Sequence, residues 1–309
     1  MGGLQLLLYF AVFFFAVIVV SKTVKIARMP IHLRWDLYPV PHEKGRGAYG
    51  GSYYEEIDWW TKPQDFSLFN EIKEMAREIL FIQSLYRNNR PVWFFSFPFH
   101  FGMYCLIAHG ILLLIGGIMV NSGTDISWLS RDFLPAVVFH LTLLTGKIGW
   151  LLSAFGALGL LMSRLLNGKL KSSSVLSDYV NLIILLTLFI VGSFSSYAVD
   201  TSYSIQRAFI GKFVTIDAAP ALPAALTLQL WILTVLLLYF PFTHMTHFVG
   251  KYFTYHKIRW EDEPNIAGSK IEKAVSEALG YKITWSASHI KSGGTWAEAA
   301  TEETTENER

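Results

Sequence analysis

FPFHFGMYCLIAHGILLLIGGIMV, residues 97–120, contains no Asp, Glu, Lys or Arg, yet it carries His100 and His109. A second apolar run closes on Pro241-Phe242-Thr243-His244-Met245-Thr246-His247. The first run meets the ~20 residues that a helix needs to cross about 30 Å of hydrocarbon. Histidine is expensive inside a bilayer, so two in one uncharged span call for a functional explanation.

Four more apolar stretches flank this one, at roughly 4–21, 133–163, 180–199 and 224–248. Hydrophobic residues make up 52% of the 309 and charged residues 16%, against about 25% charged in an ordinary soluble domain. These features predict an all-α membrane protein, a five-helix transmembrane bundle. The third stretch exceeds the bilayer and so tilts or projects beyond it. The first lacks a basic n-region and is followed by Lys22, Lys25 and Arg28, which fits a retained helix with its N-terminus outside.

Loop charges give the same orientation. Segment 22–96 holds 11 Lys and Arg, and the short loop 164–179 holds Arg164, Lys169 and Lys171. Eight more follow residue 250. Loop 121–132 has only Arg131, and loop 200–223 has Arg207 and Lys212. By the positive-inside rule the N-terminus lies out and the C-terminus in. The domains read as helix one (1–21), a cytoplasmic insertion (22–96), a four-helix membrane core (97–250) and a cytoplasmic tail (251–309).

The insertion begins with Pro, Gly and aromatic residues and continues into an amphipathic helix at about 67–87. There Leu68, Ile72, Met75, Ile79 and Ile82 recur at helical spacing. Such a helix lies in the interface plane, docks a partner, or folds back as a lid on the bundle. The tail ends in the acidic, solvated run Glu302–Arg309. A net charge of +2 gives no reason to invoke nucleic acid, and Cys105 alone can form no internal disulfide and hold no iron–sulfur cluster.

Imidazoles facing one another across a helix bundle commonly serve as axial ligands of haem iron. At 1.5 Å per residue, His100 lies about 5 Å and His109 about 18 Å below the cytoplasmic surface. A continuous fifth span puts His244 and His247 within about 2–6 Å of that surface. His140 falls about 20 Å from it. Two levels emerge: His100 with His247 (or His244), and His109 with His140. The nine-residue step from His100 to His109 turns the ligand to roughly the opposite face. The rival role for His140 is a hydrogen bond to a quinone. Lys147, on nearly the same face as His140, calls for a counter-charge such as a haem propionate, or else snorkels to the interface. His32, His42, His256 and His289 read as surface residues.

The segment Phe99-His100-Phe101-Gly102 with His109, and Phe240-Pro241-Phe242-Thr243-His244-Met245-Thr246-His247, resemble the respiratory nitrate reductase gamma subunit, a five-helix dihaem cytochrome b. Ser163-Arg164-Leu165 and Asp178 sit where that family has similar residues, and the resemblance covers about 97–250. It implies that His247 is the span-five ligand and that His244 takes a basic, non-ligand position. Two features depart from the family. The span-two histidines are nine apart rather than ten, and Gln229 stands where a second span-five histidine is expected. The outer haem then takes His140 or is absent.

The insertion, with Arg34-Trp35-Asp36-Leu37-Tyr38-Pro39 and Tyr53-Tyr54-Glu55-Glu56-Ile57-Asp58-Trp59-Trp60, looks more like related cytochrome b subunits of DsrM, TmcC and heterodisulfide-reductase-linked type. That likeness implies a prokaryotic inner-membrane subunit of anaerobic respiration. The cofactor expected is haem b: one haem on His100 and His247, and a second, where present, on His109 with His140, whose place the depth argument gives, Lys147 lying beside it or snorkelling. Electrons pass between menaquinone and a cytoplasmic iron–sulfur partner, with an extracytoplasmic cytochrome c as a further partner. The alternative is a haem-free membrane anchor that docks a soluble redox partner.

Overall fold

Hydropathy of this kind builds helices, because a backbone in lipid must satisfy its own hydrogen bonds. The computed structural model describes residues 2–29, 40–45, 49–63, 65–261, 263–287 and 290–301. The expectations for His32, the 34–39 motif, His289 and the acidic run 302–309 lie outside these residues. The helices are α1 (Gly3–Ala27), α2 (Leu68–Phe81), α3 (Gln83–Asn88), α4 (Arg90–Asn121), α5 (Phe133–Leu166), α6 (Gly168–Ser172), α7 (Leu176–Phe194), α8 (Ser204–Val214), α9 (Ala224–Tyr239), α10 (His247–Phe253), α11 (Lys270–Leu279) and α12 (Trp296–Thr301).

Among the described residues five segments are long and apolar enough to cross a membrane: Gly3–Ala27, Arg90–Asn121, Phe133–Leu166, Leu176–Val199 and Ala224–Phe242. The described residues therefore form an all-helical, multi-pass membrane protein. Its helices remain apolar on their outward faces, as at Phe94, Ile107, Ile111, Leu144 and Leu151. That is the surface lipid requires.

The chain divides into two units, one formed by residues up to Ile18 with Lys73–Thr243, the other by Val19–Ile72 with His244–Arg309. In the first, α4 and α5 pack along small residues, which let helix backbones approach closely where no hydrophobic drive separates protein from lipid. A Cβ on Gly156 of α5 would lie 2.6 Å from the Phe99 Cα of α4. At the far end of α4, a Cβ on Gly117 would lie 2.7 Å from the Gly211 nitrogen of α8. Both contacts admit only glycine at the position.

The α5–α7 connection is tied by charge. Arg164 Nη1 donates to Ser174 Oγ at 2.7 Å and pairs with Asp178 Oδ2 at 3.4 Å. Asp178 also accepts the Val175 amide and so caps α7. At its other end α7 widens into a π-helical turn, Ser195–Val199. Asp200 follows, and its carboxylate accepts the Ile205 and Gln206 amides at 3.3 and 2.9 Å, capping α8.

Three sequence expectations change. Loop 200–223 contains α8, packed on α4. The helix expected at 67–87 breaks at Ile82, whose φ of 50° is left-handed, into α2 and α3. The fifth span does not run to 248. Pro241 has no amide hydrogen and clashes with a helical carbonyl, so α9 ends at Tyr239, passes through a tight turn at Phe240–Phe242, and Thr243 is extended. A new turn holds His244–Thr246, and α10 starts at His247.

In the second unit, Ser52 Oγ donates to Glu43 Oε1 at 2.8 Å, both residues buried. Tyr53, Tyr54, Trp59 and Trp60 stack into one aromatic cluster. His42 is buried against Phe66 rather than on the surface, and His256 pairs with Glu71 at 2.9 Å.

Candidate functional site

The histidines of α4 occupy different settings with one shared posture. His100, half-buried, donates from Nδ1 to the Ser96 carbonyl at 2.7 Å. His109 is 3% exposed and donates from Nδ1 to the Thr142 carbonyl of α5 at 3.1 Å. A carbonyl only accepts, so in each ring the proton sits on Nδ1 and Nε2 carries the lone pair. The His109 Nε2 is buried and unsatisfied. In the second unit His247 repeats the pattern, with Nδ1 at 3.2 Å from the His244 carbonyl. A backbone carbonyl on one nitrogen and a lone pair on the other is how metal-binding imidazoles are usually oriented.

Around His109 lies a buried polar group that hydropathy did not reveal. Tyr203, fully buried at the head of α8, sets its ring 4.3 Å from the imidazole and bonds through its hydroxyl to Ser196 Oγ. Its backbone holds a left-handed φ of 57°, a strained conformation for an aromatic residue. Burial pushes the Tyr203 hydroxyl up to about 12, the Ser196 bond opposing the rise, so the phenol stays protonated across physiological pH.

Four residues further on, Arg207 is 2% exposed. Its guanidinium donates to the Ile126 carbonyl at 3.4 Å and the Ser202 carbonyl at 3.3 Å, and it lies over the Phe139 ring. Burial lowers its affinity for a proton while the Asp200 carboxylate raises it. In the sequence it reads as an ordinary loop cation. The signal for α8 was nonetheless present: Asp200 as a capping acid, then Ile205, Phe209 and Phe213 at helical spacing.

The remaining candidates are placed as follows. His140 is exposed on the flank of α5, beside Phe139, while Thr142 of the same helix meets His109. Lys147 donates from Nζ to the Ser196 carbonyl at 3.3 Å and lies 4.6 Å from the Tyr197 ring centroid. The π-helical turn thus supplies a carbonyl dipole and an aromatic face to that ammonium. Gln229 is buried and lines a cavity of about 50 Å³ with Leu113, Gln206 and Phe209, room for water but not for a quinone ring. His244 and His247 are both exposed.

Haem asks for imidazoles with Nε2 aimed outward from a fixed ring. The buried, unsatisfied His109 Nε2, with Nδ1 anchored, fits that demand. Among the described residues no three His, Cys, Asp or Glu form a group able to hold a bare metal ion. Comparison with protein-family models, with curated proteins and with solved structures finds no match to this chain.

Proposed function

We propose that this protein is a haem b subunit that moves electrons between a menaquinone pool and an iron–sulfur partner in a prokaryotic inner membrane, with an extracytoplasmic cytochrome c as a further partner. The observation that carries the reading is the common posture of three histidines, each tied through Nδ1 to a backbone carbonyl: Ser96 for His100, Thr142 for His109 and His244 for His247. Haem supplies one-electron chemistry when bound; the chain supplies ligands, a fixed orientation and a low dielectric.

His100 and His247 are the proposed ligands of one haem, a pairing that rests on the resemblance of their two motifs alone, since the fifth span that would have matched their depths ends at Tyr239. His109 is the proposed ligand of a second. The exposed position of His140 leaves its part in that haem to experiment. Orientation is proposed as N-terminus out, from the loop cations. A reduced-minus-oxidised optical spectrum of the purified chain tests the reading. A b-type alpha band with two haem equivalents per chain is expected. A flat spectrum from a folded chain would favour a haem-free anchor instead.

A further inference from the structure

We infer that α2 lies in the plane of the membrane interface, with one apolar arc immersed in lipid. At 100° per residue the side chains of α2 sort into three arcs. Leu68, Phe69, Ile72, Ile79 and Leu80 share the first, and all five are exposed, Phe69 at 74%. Lys73 and Arg77 share the second, also exposed. Glu78 and Phe81 share the third: Glu78 is buried, and Phe81, though 55% exposed, touches α4 with one face of its ring.

The third arc fixes what the first one faces. Phe81 stacks on Phe97 of α4, and Phe97 stacks on Trp93 and Phe101. The last carbonyls of α2 have no intrahelical donors, and α4 supplies them. Tyr104 Oη donates to the Ile79 carbonyl at 2.8 Å, and Trp93 Nε1 donates to the Phe81 carbonyl at 2.7 Å.

Tyr104 lies about 20 Å along α4 from Arg90, and no charged residue occurs between Arg90 and Asp125. Its side chain leans back toward the helix start. The end of α2 is therefore bound along the uncharged side of a membrane-crossing helix, from Trp93, about 5 Å past Arg90, toward Tyr104. A bare apolar arc held there has hydrocarbon as its neighbour, and the adjoining Lys73–Arg77 arc has headgroups and water. A protein partner on the first arc would have to displace lipid from a surface continuous with the exposed Phe101 of a transmembrane helix.

The test uses the full chain carrying Cys105→Ser, reconstituted in vesicles of phosphatidylethanolamine and phosphatidylglycerol. Single cysteines at Phe69, Ile72 or Leu80, and at Lys73 or Arg77, take a nitroxide label. Collision with oxygen reports lipid, and collision with a water-soluble nickel chelate reports solvent. The expected result is an inverted oxygen-to-nickel ratio between the two sets, with oxygen dominant at 69, 72 and 80. Nickel dominant at all five positions would place the arc in water and overturn the proposal. Exclusion of both reagents from 69, 72 and 80 would show protein covering the arc and overturn it equally. Three positions on one arc keep the test standing if one labelled variant fails to fold.

Discussion

The imidazole of His109 and the phenol of Tyr203 lie with ring centroids 4.3 Å apart and planes tilted by 60°. A span and a non-spanning helix thus meet through two aromatic rings, with Gly146 of α5 against both. The Tyr203 hydroxyl continues the chain to Ser196 of the π-helical turn.

That hydroxyl makes the fold sensitive to alkali. Its value in the fold, about 12, stands above its ordinary 10. The proton is therefore held more tightly in the folded than in the unfolded chain. The resulting stability is complete below pH 10 and is lost as pH rises from about 10 to about 12. Tyr203→Phe should melt at a temperature less dependent on pH in that window, measured by thermal unfolding in detergent. An unchanged alkaline slope would show that another group controls it.

Ligand replacements separate the histidines. His100→Ala and His247→Ala are each expected to remove the same haem equivalent, because six-coordinate iron needs both imidazoles. His244→Ala should retain it. His109→Ala is expected to remove the other equivalent. His140→Ala decides between its two proposed roles: retention of both equivalents with impaired quinone turnover would leave it the quinone hydrogen bond. Loss of one haem from His140→Ala would instead establish His140 as the partner of His109. Pyridine haemochromogen assay of each purified variant gives the count.

Arg207 is held by carbonyls, so size and charge can be tested apart. Arg207→Met keeps the packing over Phe139 and against Gly116 but loses two hydrogen bonds. A destabilisation of about 1–3 kcal/mol is expected. Arg207→Ala also opens a void, and about 3–5 kcal/mol is expected. Chemical unfolding followed by tryptophan fluorescence ranks the two. Equal losses would show that charge rather than packing dominates.

Lys147→Met removes the link from α5 to the Ser196 carbonyl and the Tyr197 ring. If the ammonium also pairs with a propionate, the midpoint potential of one haem should shift with haem content unchanged, because a nearby charge is lost in a low dielectric. A redox titration with an unmoved potential would confine Lys147 to its structural bond.

Much of the architecture is legible in hydropathy alone, since five apolar runs can do little else than become helices. Arg164 and Asp178, noted only as neighbours of spans, turn out to pair. Hydropathy reports composition but not facing, and there the sequence reading ran short. His140 was placed by depth, yet it stands nine residues before Gly149, half a turn round the helix. Gly149 packs against Leu106 of α4, so phasing α5 on its glycines would have turned His140 outward. Likewise α8 is short and carries Arg207 and Lys212, which let it pass for a loop. Pro241 was visible, but its effect on the His244–His247 segment follows only when the missing amide is counted.

Along α4, Gly102, His109 and Gly116 recur at seven-residue spacing, and along α5 Gly146 is followed by Ser153, as Gly149 is by Gly156. Seven residues return a side chain to nearly the same heading. These teeth are where the close approaches described above occur. Mutational tolerance along both helices should therefore follow a comb. Exposed positions between the teeth can drift among Leu, Ile, Val and Phe, while the glycine teeth, where an added Cβ would lie under 3.0 Å from a neighbour, accept only glycine and Ser153 accepts little beyond Gly, Ala or Ser. His109 is the one tooth with a large side chain. A row of small residues has kept a slot for an imidazole there, and its replacement by glycine would complete the repeat while erasing the feature that sets this bundle apart.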